Sequence, residues 1–253
     1  MPINYSRKLI GRTRSKDANA QLGFVLAFVA GAINAGGFLA VQQYTSHMTG
    51  IVSAMADHIA LGAIDLVLTG IGTLASFIIG AACTAVMVNY ARRHNMHSEY
   101  AFPLLLEAGL LLCFGVLGAR LADIHGVFVS VTVMLLSFIM GLQNAVITKL
   151  SKSEIRTTHI TGIVTDIGIE LGKLMYLNSD GLIKVPKVKA DREHLKVLTF
   201  LAGFFFFGGI FGALGFKYGG YIATVPLALT LMILVIVPVA DDVIEMLKRG
   251  KGL

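Results

Sequence analysis

The sequence predicts an all-α polytopic membrane protein, with six long transmembrane helices and two short re-entrant or broken helices arranged as a 3+3 inverted repeat. Three observations lead there. The chain is apolar: hydrophobic residues make up 55% of its 253 residues and charged residues 14%, against about 25% charged in soluble proteins. Its mean hydropathy is +0.76. The few charges gather in short segments and leave nearly charge-free runs of about 20 residues, enough to cross a ~30 Å hydrocarbon core as helix. A cluster of polar residues occurs twice: Thr45-Ser46-His47-Met48-Thr49-Gly50-Ile51-Val52 returns as Thr157-Thr158-His159-Ile160-Thr161-Gly162-Ile163-Val164. Finally, Lys and Arg alternate between the connections in a way that fixes which segments cross.

Taken in order, residues 1–20 form a basic cytoplasmic leader. The apolar run behind it continues to about residue 41, too far for a cleaved signal peptide, so a retained first helix is expected. The first membrane repeat covers 21–122. Its first span, Gln21 to Val41, carries Gly31, Gly36 and Gly37 for close helix approach and Asn34, which needs a partner in lipid. Gln42, Gln43 and Tyr44 read as interfacial. Thr45 or Ser46 can cap a helix over 46–61, which is short for a full crossing and interrupted by His47, Asp57 and His58. The second span runs from Ile64 to Tyr90 with a basic stop at Arg92 and Arg93, and the third from Ala101 to Ala119, with Pro103 near its start and Glu107 one turn inside.

The second membrane repeat covers 123–240. A span from Val127 to Ile147 precedes Lys149, Lys152 and Arg156. The second short segment, 158–174, carries His159, Asp166, Glu170 and Lys173. A cytoplasmic loop at 178–196 holds five basic residues, and two spans, Val197 to Phe216 and Tyr221 to Ala240, lead to a cytoplasmic tail at 241–253. Matched pairs tie the halves together: Phe28, Gly31, Asn34 and Ala35 with Phe138, Gly141, Asn144 and Ala145; Phe77 and Gly80 with Phe205 and Gly208; Pro103, Leu104 and Leu106 with Pro226, Leu227 and Leu229.

Charge decides the crossings. With only the six long spans crossing, nearly all Lys and Arg fall on one side, leaving Arg120 and Lys217 opposite. If both short segments also crossed, Arg92, Arg93, Lys149, Lys152 and Arg156 would move to the wrong face. The positive-inside rule selects the first arrangement and makes the basic side, with both termini, cytoplasmic. Three spans per unit is odd, so the second unit enters upside down, and the two short segments dip in from opposite faces.

The chemistry of the repeated motif follows from its place at a helix start. Unpaired backbone N–H groups and partial positive charge lie there, together with hydroxyls, an imidazole and a glycine. Two such ends meeting near the midplane suit an anion, a carboxylate or a polar solute. The substrate-binding candidates are therefore Asn34, Thr45, His47, Thr49, Gln143, Asn144, Thr158, His159 and Thr161. The alternative use of the same groups is to join helices by hydrogen bonds. Asp57, His58, Glu107, Asp166 and Glu170 are the proton-coupling candidates, because a carboxylate in hydrocarbon must face protein, water or a partner. For Asp57, Glu107, Asp166 and Glu170 the alternative is placement at headgroup level.

Other classes are disfavoured. The net charge of +6 has its source in topology, so no nucleic-acid partner is expected. Cys83 and Cys113 lack metal-ligand spacing, and no metal site or cofactor is expected. The motifs of hydrolases, zincins and phosphate-binding loops are missing, and an enzyme is not expected.

In its Ala30-Gly31-x-x-Asn34-Ala35, Thr49-Gly50, Gly141-x-Gln143-Asn144-Ala145 and Thr161-Gly162 motifs, in that order over nearly its whole length, the chain resembles the YoaK-like (DUF1275) family of bacterial inner-membrane proteins. The resemblance implies a multi-pass protein of the bacterial cytoplasmic membrane and supplies no catalytic residue, substrate or cofactor. The expected function is transport of a small polar or anionic solute, with proton coupling an open addition; a passive channel and a non-transporting assembly or sensor protein are the alternatives. The expected partners are the solute, membrane lipids and, given six spans with glycines to spare, a second copy of the chain.

Overall fold

The computed structural model of the protein describes residues 16–94, 96, 98–121, 127–150, 159–178 and 186–250. They form an all-α, multi-span membrane fold: α1 (Lys16–Val41), α2 (Met48–Ala60), α3 (Ile64–Arg93), α4 (Ala101–Leu121), α5 (Val127–Leu150), α6 (Ile160–Met175), α7 (Arg192–Gly219), a 3-10 turn (Gly220–Ala223) and α8 (Thr224–Gly250). Among the described residues, five apolar runs are long enough to cross a membrane: Asp17–Val41, Ile64–Arg93, Ala101–Ala119, Ser130–Lys149 and Arg192–Ile244. The last, 53 residues long, contains both α7 and α8.

Several helices outrun their apolar cores. α7 starts at Arg192 rather than Val197 because Asp191 caps it, its carboxylate accepting a 3.0 Å hydrogen bond from the His194 amide. Hydropathy does not register a cap. α8 likewise continues through the expected tail to Gly250. Outward-facing apolar side chains on α3 and α7, such as Ile71, Ile78, Phe207 and Phe211, are exposed in the isolated chain and meet lipid.

Glycine sets the closest helix pairs. A Cβ on Gly31 would strike the carbonyl oxygen of Phe205, and one on Gly208 that of Phe28. A Cβ on Gly141 would strike the carbonyl of Phe77, and one on Gly80 that of Phe138. Thus α1 against α7 and α5 against α3 make one contact twice, with backbones touching where only glycine fits. Thr84 adds a hydroxyl hydrogen bond of 2.9 Å to the Leu142 carbonyl. Residue by residue, 21–38 and 131–148 show the same succession of buried, half-buried and exposed positions.

Helix directions follow from these contacts. Phe24 stacks on Phe204 while Gly36 meets Phe216, so α1 and α7 run the same way. Gly72 meets Met134 and Thr84 meets Leu142, so α3 and α5 also run together. Gln143 reaches Leu26 and Gly37 reaches Leu136, which sets α5 antiparallel to α1. Tyr221 against Gly118 and Asp242 accepting from the Ser98 amide set α8 antiparallel to α4. Arg92, Arg93, Lys149, Arg192 and Lys196 consequently gather at one end of the bundle, the basic end, and Lys217 lies at the other. A continuous core of Leu26, Val29, Ile33, Leu104, Leu111, Phe114, Leu136, Ile139, Leu142 and Leu231 fills the middle.

The short helices occupy what the long ones leave. α1 ends at Gln42, whose φ of 55° turns the chain back. The segment 42–47 then descends along α1: the Tyr44 ring stacks on Phe38 at 4.6 Å, and Ser46 Oγ donates a 2.9 Å hydrogen bond to Asn34 Oδ1. From that depth α2 returns along α3, Met55 lying over Gly70, to a turn at Gly62 (φ 71°). On the other side α6 runs back along α7, with Ile163 packed among Leu198, Leu201 and Ala27 and Glu170 accepting from the Asp191 amide at 2.8 Å. At 13 and 16 residues, α2 and α6 reach only about 20 and 24 Å. Tyr44, expected at an interface, keeps about half of its surface exposed (48%) while its ring stacks on Phe38.

Candidate functional site

The two copies of the polar motif meet. A partly open cavity of about 640 Å³ lies between the first turns of α2 and α6, lined by Asn34, Tyr44, Ser46, His47, Met48, Thr49, Phe77, Asn144, His159, Ile160, Thr161 and Phe205. The lining is paired across the halves: Asn34 with Asn144 from α1 and α5, His47 with His159, Met48 with Ile160 and Thr49 with Thr161 from the short helices, Phe77 with Phe205 from α3 and α7. Its size falls in the range of small-molecule sites.

Each histidine occupies the N-cap position of its short helix without making a side-chain cap hydrogen bond. The expected cap at Thr45 or Ser46 is therefore not formed, because Ser46 is committed to Asn34. Each imidazole instead folds over the first helical turn against the glycine three residues on: a Cβ on Gly50 would come within 3.0 Å of His47 Nδ1, and one on Gly162 would collide with His159 Nδ1. The motif glycines make room for the rings. Asn144 Oδ1 is buried and has no hydrogen-bond partner among the described residues. Two amides, three hydroxyl-bearing residues, a phenol, two imidazoles and two helix N-termini thus converge on one space. Such a set donates hydrogen bonds in several directions and favours a polar or anionic guest.

The expected site residues divide by geometry. Asn34, His47, Thr49, Asn144, His159 and Thr161 line the cavity. Thr45 and Gln143 do not: Thr45 is buried behind it, and Gln143 turns to α1, its Nε2 donating to the Leu26 carbonyl at 3.3 Å. Thr158 lies outside the described residues. Tyr44, Ser46, Met48, Phe77, Ile160 and Phe205 complete the lining unanticipated, although the phenylalanines stand at matched positions of the repeat and carried that signal.

None of the five proton-coupling candidates lines this cavity. Asp57 and Asp166 are exposed. His58 lines a smaller neighbouring cavity of about 270 Å³ that shares Tyr44 and His47 with the central one. Glu170 pairs with Lys173 Nζ at 2.6 Å as well as with the Asp191 amide. Lys173 first, then that amide, hold its carboxyl below the usual carboxylate range. Glu107 is fully buried in the core, and neither carboxyl oxygen has a hydrogen-bond partner among the described residues. Its carboxyl faces the protein interior and not the surface of the bundle.

Sequence comparison agrees with a membrane protein of this kind. A stretch of 144 residues, 56% of the chain, is 27% identical to the UPF0700 transmembrane protein YoaK of Bacillus subtilis (strain 168), and it covers 63% of that relative's length. The chain thus spans a little under two thirds of this curated relative. No solved structure matches. The model of the family described as "Protein of unknown function (DUF1275)" matches residues 22–237, from α1 nearly to the end of α8, and the chain belongs to this family of bacterial membrane proteins.

Proposed function

We propose that the protein is a transmembrane carrier for a small polar or anionic solute, not an enzyme, and that the cavity between the two motif copies is its solute site. The reading is carried by the pairing of the lining: Asn34/Asn144, His47/His159, Thr49/Thr161 and Phe77/Phe205 face one space from equivalent elements. Packing alone does not require polar groups to be kept in matched pairs around a void, whereas a solute held at the junction of two repeats does.

The same reading takes the whole as a 3+3 inverted repeat. The reciprocal glycine contacts of α1 with α7 and α5 with α3 support it, as does the identical burial of 21–38 and 131–148. The leg 42–47 with α2 is read as a re-entrant hairpin, and α6 as the short helix that dips in from the opposite face. The gathering of Lys and Arg at one end supports reading that end, with both termini, as the cytoplasmic side in a bacterial cell. Proton coupling is assigned to His47 and His159, the two imidazoles that line the cavity from both halves.

Uptake by proteoliposomes tests this. Small carboxylates and neutral polar solutes are offered with and without a pH gradient to the wild type, His47→Ala and His159→Ala. We expect uptake that both substitutions abolish. Uptake left unchanged by both would place the solute elsewhere, and uptake that ignores the gradient would remove the proton.

A further inference from the structure

The halves match in burial pattern and in their glycine contacts, and differ in what fills the space beside each short helix. Between α2 and α3, the cavity of about 270 Å³ is lined by Gln43, Tyr44, His47, His58, Thr69 and Gly70 among others. It runs along α2 from the central cavity, with which it shares Tyr44 and His47, to the level of His58 near the end of the bundle opposite the basic one. Between α6 and α7 the described residues pack instead: Ile163, Leu198, Leu201 and Ala27 form a separate buried cluster, with Ile160, Ile167, Val197 and Phe205 against it.

The matched positions explain the difference. Where α7 carries Val197, Leu198 and Leu201, α3 carries Thr69, Gly70 and Thr73. Where α1 carries Ala27, α5 carries Ser137. Where α2 ends in His58, α6 has Glu170, which Lys173 and the Asp191 amide engage. Large apolar side chains on one side and small or hydroxylated ones on the other leave one gap open and fill its counterpart.

We infer that the α2–α3 cavity is a second, outer binding position for the same small polar solute and its passage into the central cavity, while the Ala27–Ile163–Leu198–Leu201 cluster is the closed gate on the basic side. This rests on reading the central cavity as the solute site. Gln43, Tyr44 and His58 offer donors and acceptors to a hydrogen-bonding solute in transit, and Thr69, whose hydroxyl donates to the Asp65 carbonyl at 3.1 Å, offers an acceptor. The titratable side chains lining the two cavities are Tyr44, His47, His58 and His159.

Thiol accessibility tests the inference without knowledge of the solute. In the full-length chain, with Cys83→Ala and Cys113→Ala as background, single cysteines are placed at Ala54 and Thr69 in the passage and at Ile163 and Leu198 in the gate. A charged, membrane-impermeant methanethiosulfonate is added to sealed proteoliposomes from each face in turn, and chromatography confirms that every variant is folded. We expect Ala54→Cys and Thr69→Cys to be labelled completely from the face opposite the basic end, while Ile163→Cys and Leu198→Cys stay free from both faces until detergent unfolds the protein. Unreactive passage cysteines, or gate cysteines that label as fast, overturn the assignment. The expected pattern together with no uptake of any offered solute would leave the wet passage standing and sink transport. Uptake with the reverse pattern would leave transport standing and sink the passage.

Discussion

A side chain at Gly50 would place its Cβ 3.0 Å from Nδ1 of His47, and at Gly162 the same construction collides with Nδ1 of His159. Each glycine therefore acts on the site through the ring it admits. Both lie inside regular helix, where alanine is intrinsically favoured over glycine by about 1 kcal/mol. Gly50→Ala and Gly162→Ala should accordingly leave the thermal midpoint in detergent close to wild type while displacing the imidazoles and lowering uptake, Gly162→Ala more strongly because its ring is nearer. Uptake that survives Gly162→Ala unchanged would show that the seat of the imidazole is irrelevant to function.

The helix crossings predict the opposite balance. At Gly141 the obstacle is the Phe77 carbonyl, part of a backbone that cannot rotate away. Gly141→Ala should cost about 1–3 kcal/mol, as overpacking does, by parting α5 from α3. Gly109, also helical but with nothing within 4 Å of a built Cβ, is the control: Gly109→Ala should hold or raise the midpoint. Two Gly→Ala changes of the same sign would mean that close approach does not hold these helices together.

Much of this architecture was legible in the sequence because polar residues and glycines recur at matched spacing. Phe28-x-x-Gly31 and Phe77-x-x-Gly80, with their partners Phe138-x-x-Gly141 and Phe205-x-x-Gly208, encode both close crossings. The shortness of α2 and α6 followed from length and charge. Legibility failed where rotation about an axis decides. Gln143 and Asn144 are adjacent, so on a helix they point about 100° apart, and only Asn144 reaches the cavity while Gln143 faces Leu26. The same neighbour effect separates Thr45, which is buried, from Ser46, which holds Asn34. Likewise, composition could not tell whether Glu107 met headgroups or the core, since that depends on which face of α4 the other helices cover. The difference between the α2–α3 and α6–α7 spaces was spelled out in Thr69/Val197 and Gly70/Leu198, but those pairs gain meaning only once the helices are seen to be equivalent.

Glu107 gives the sharpest remaining prediction. It lies on the buried face of α4 with Leu104, Ala108 and Leu111, and both its oxygens are enclosed and unpartnered among the described residues. Burying a polar group without a hydrogen bond costs about 1–3 kcal/mol by mutational measures. Glu107→Met, which keeps an unbranched chain of similar length, should return stability of that order and raise the thermal midpoint. Glu107→Lys should lower it sharply, because an ammonium in the same place is charged and equally unpartnered. Residues kept at a cost to stability are commonly kept for function, so the second readout is gradient-driven uptake. Loss of that uptake in a Glu107→Met protein that is more stable than wild type would give the carboxyl a part in transport, and unchanged uptake would leave it a burden on the fold alone. A Glu107→Met protein less stable than wild type would mean that the carboxyl has a partner, a water or a neighbouring backbone group, and that its enclosure is stabilising.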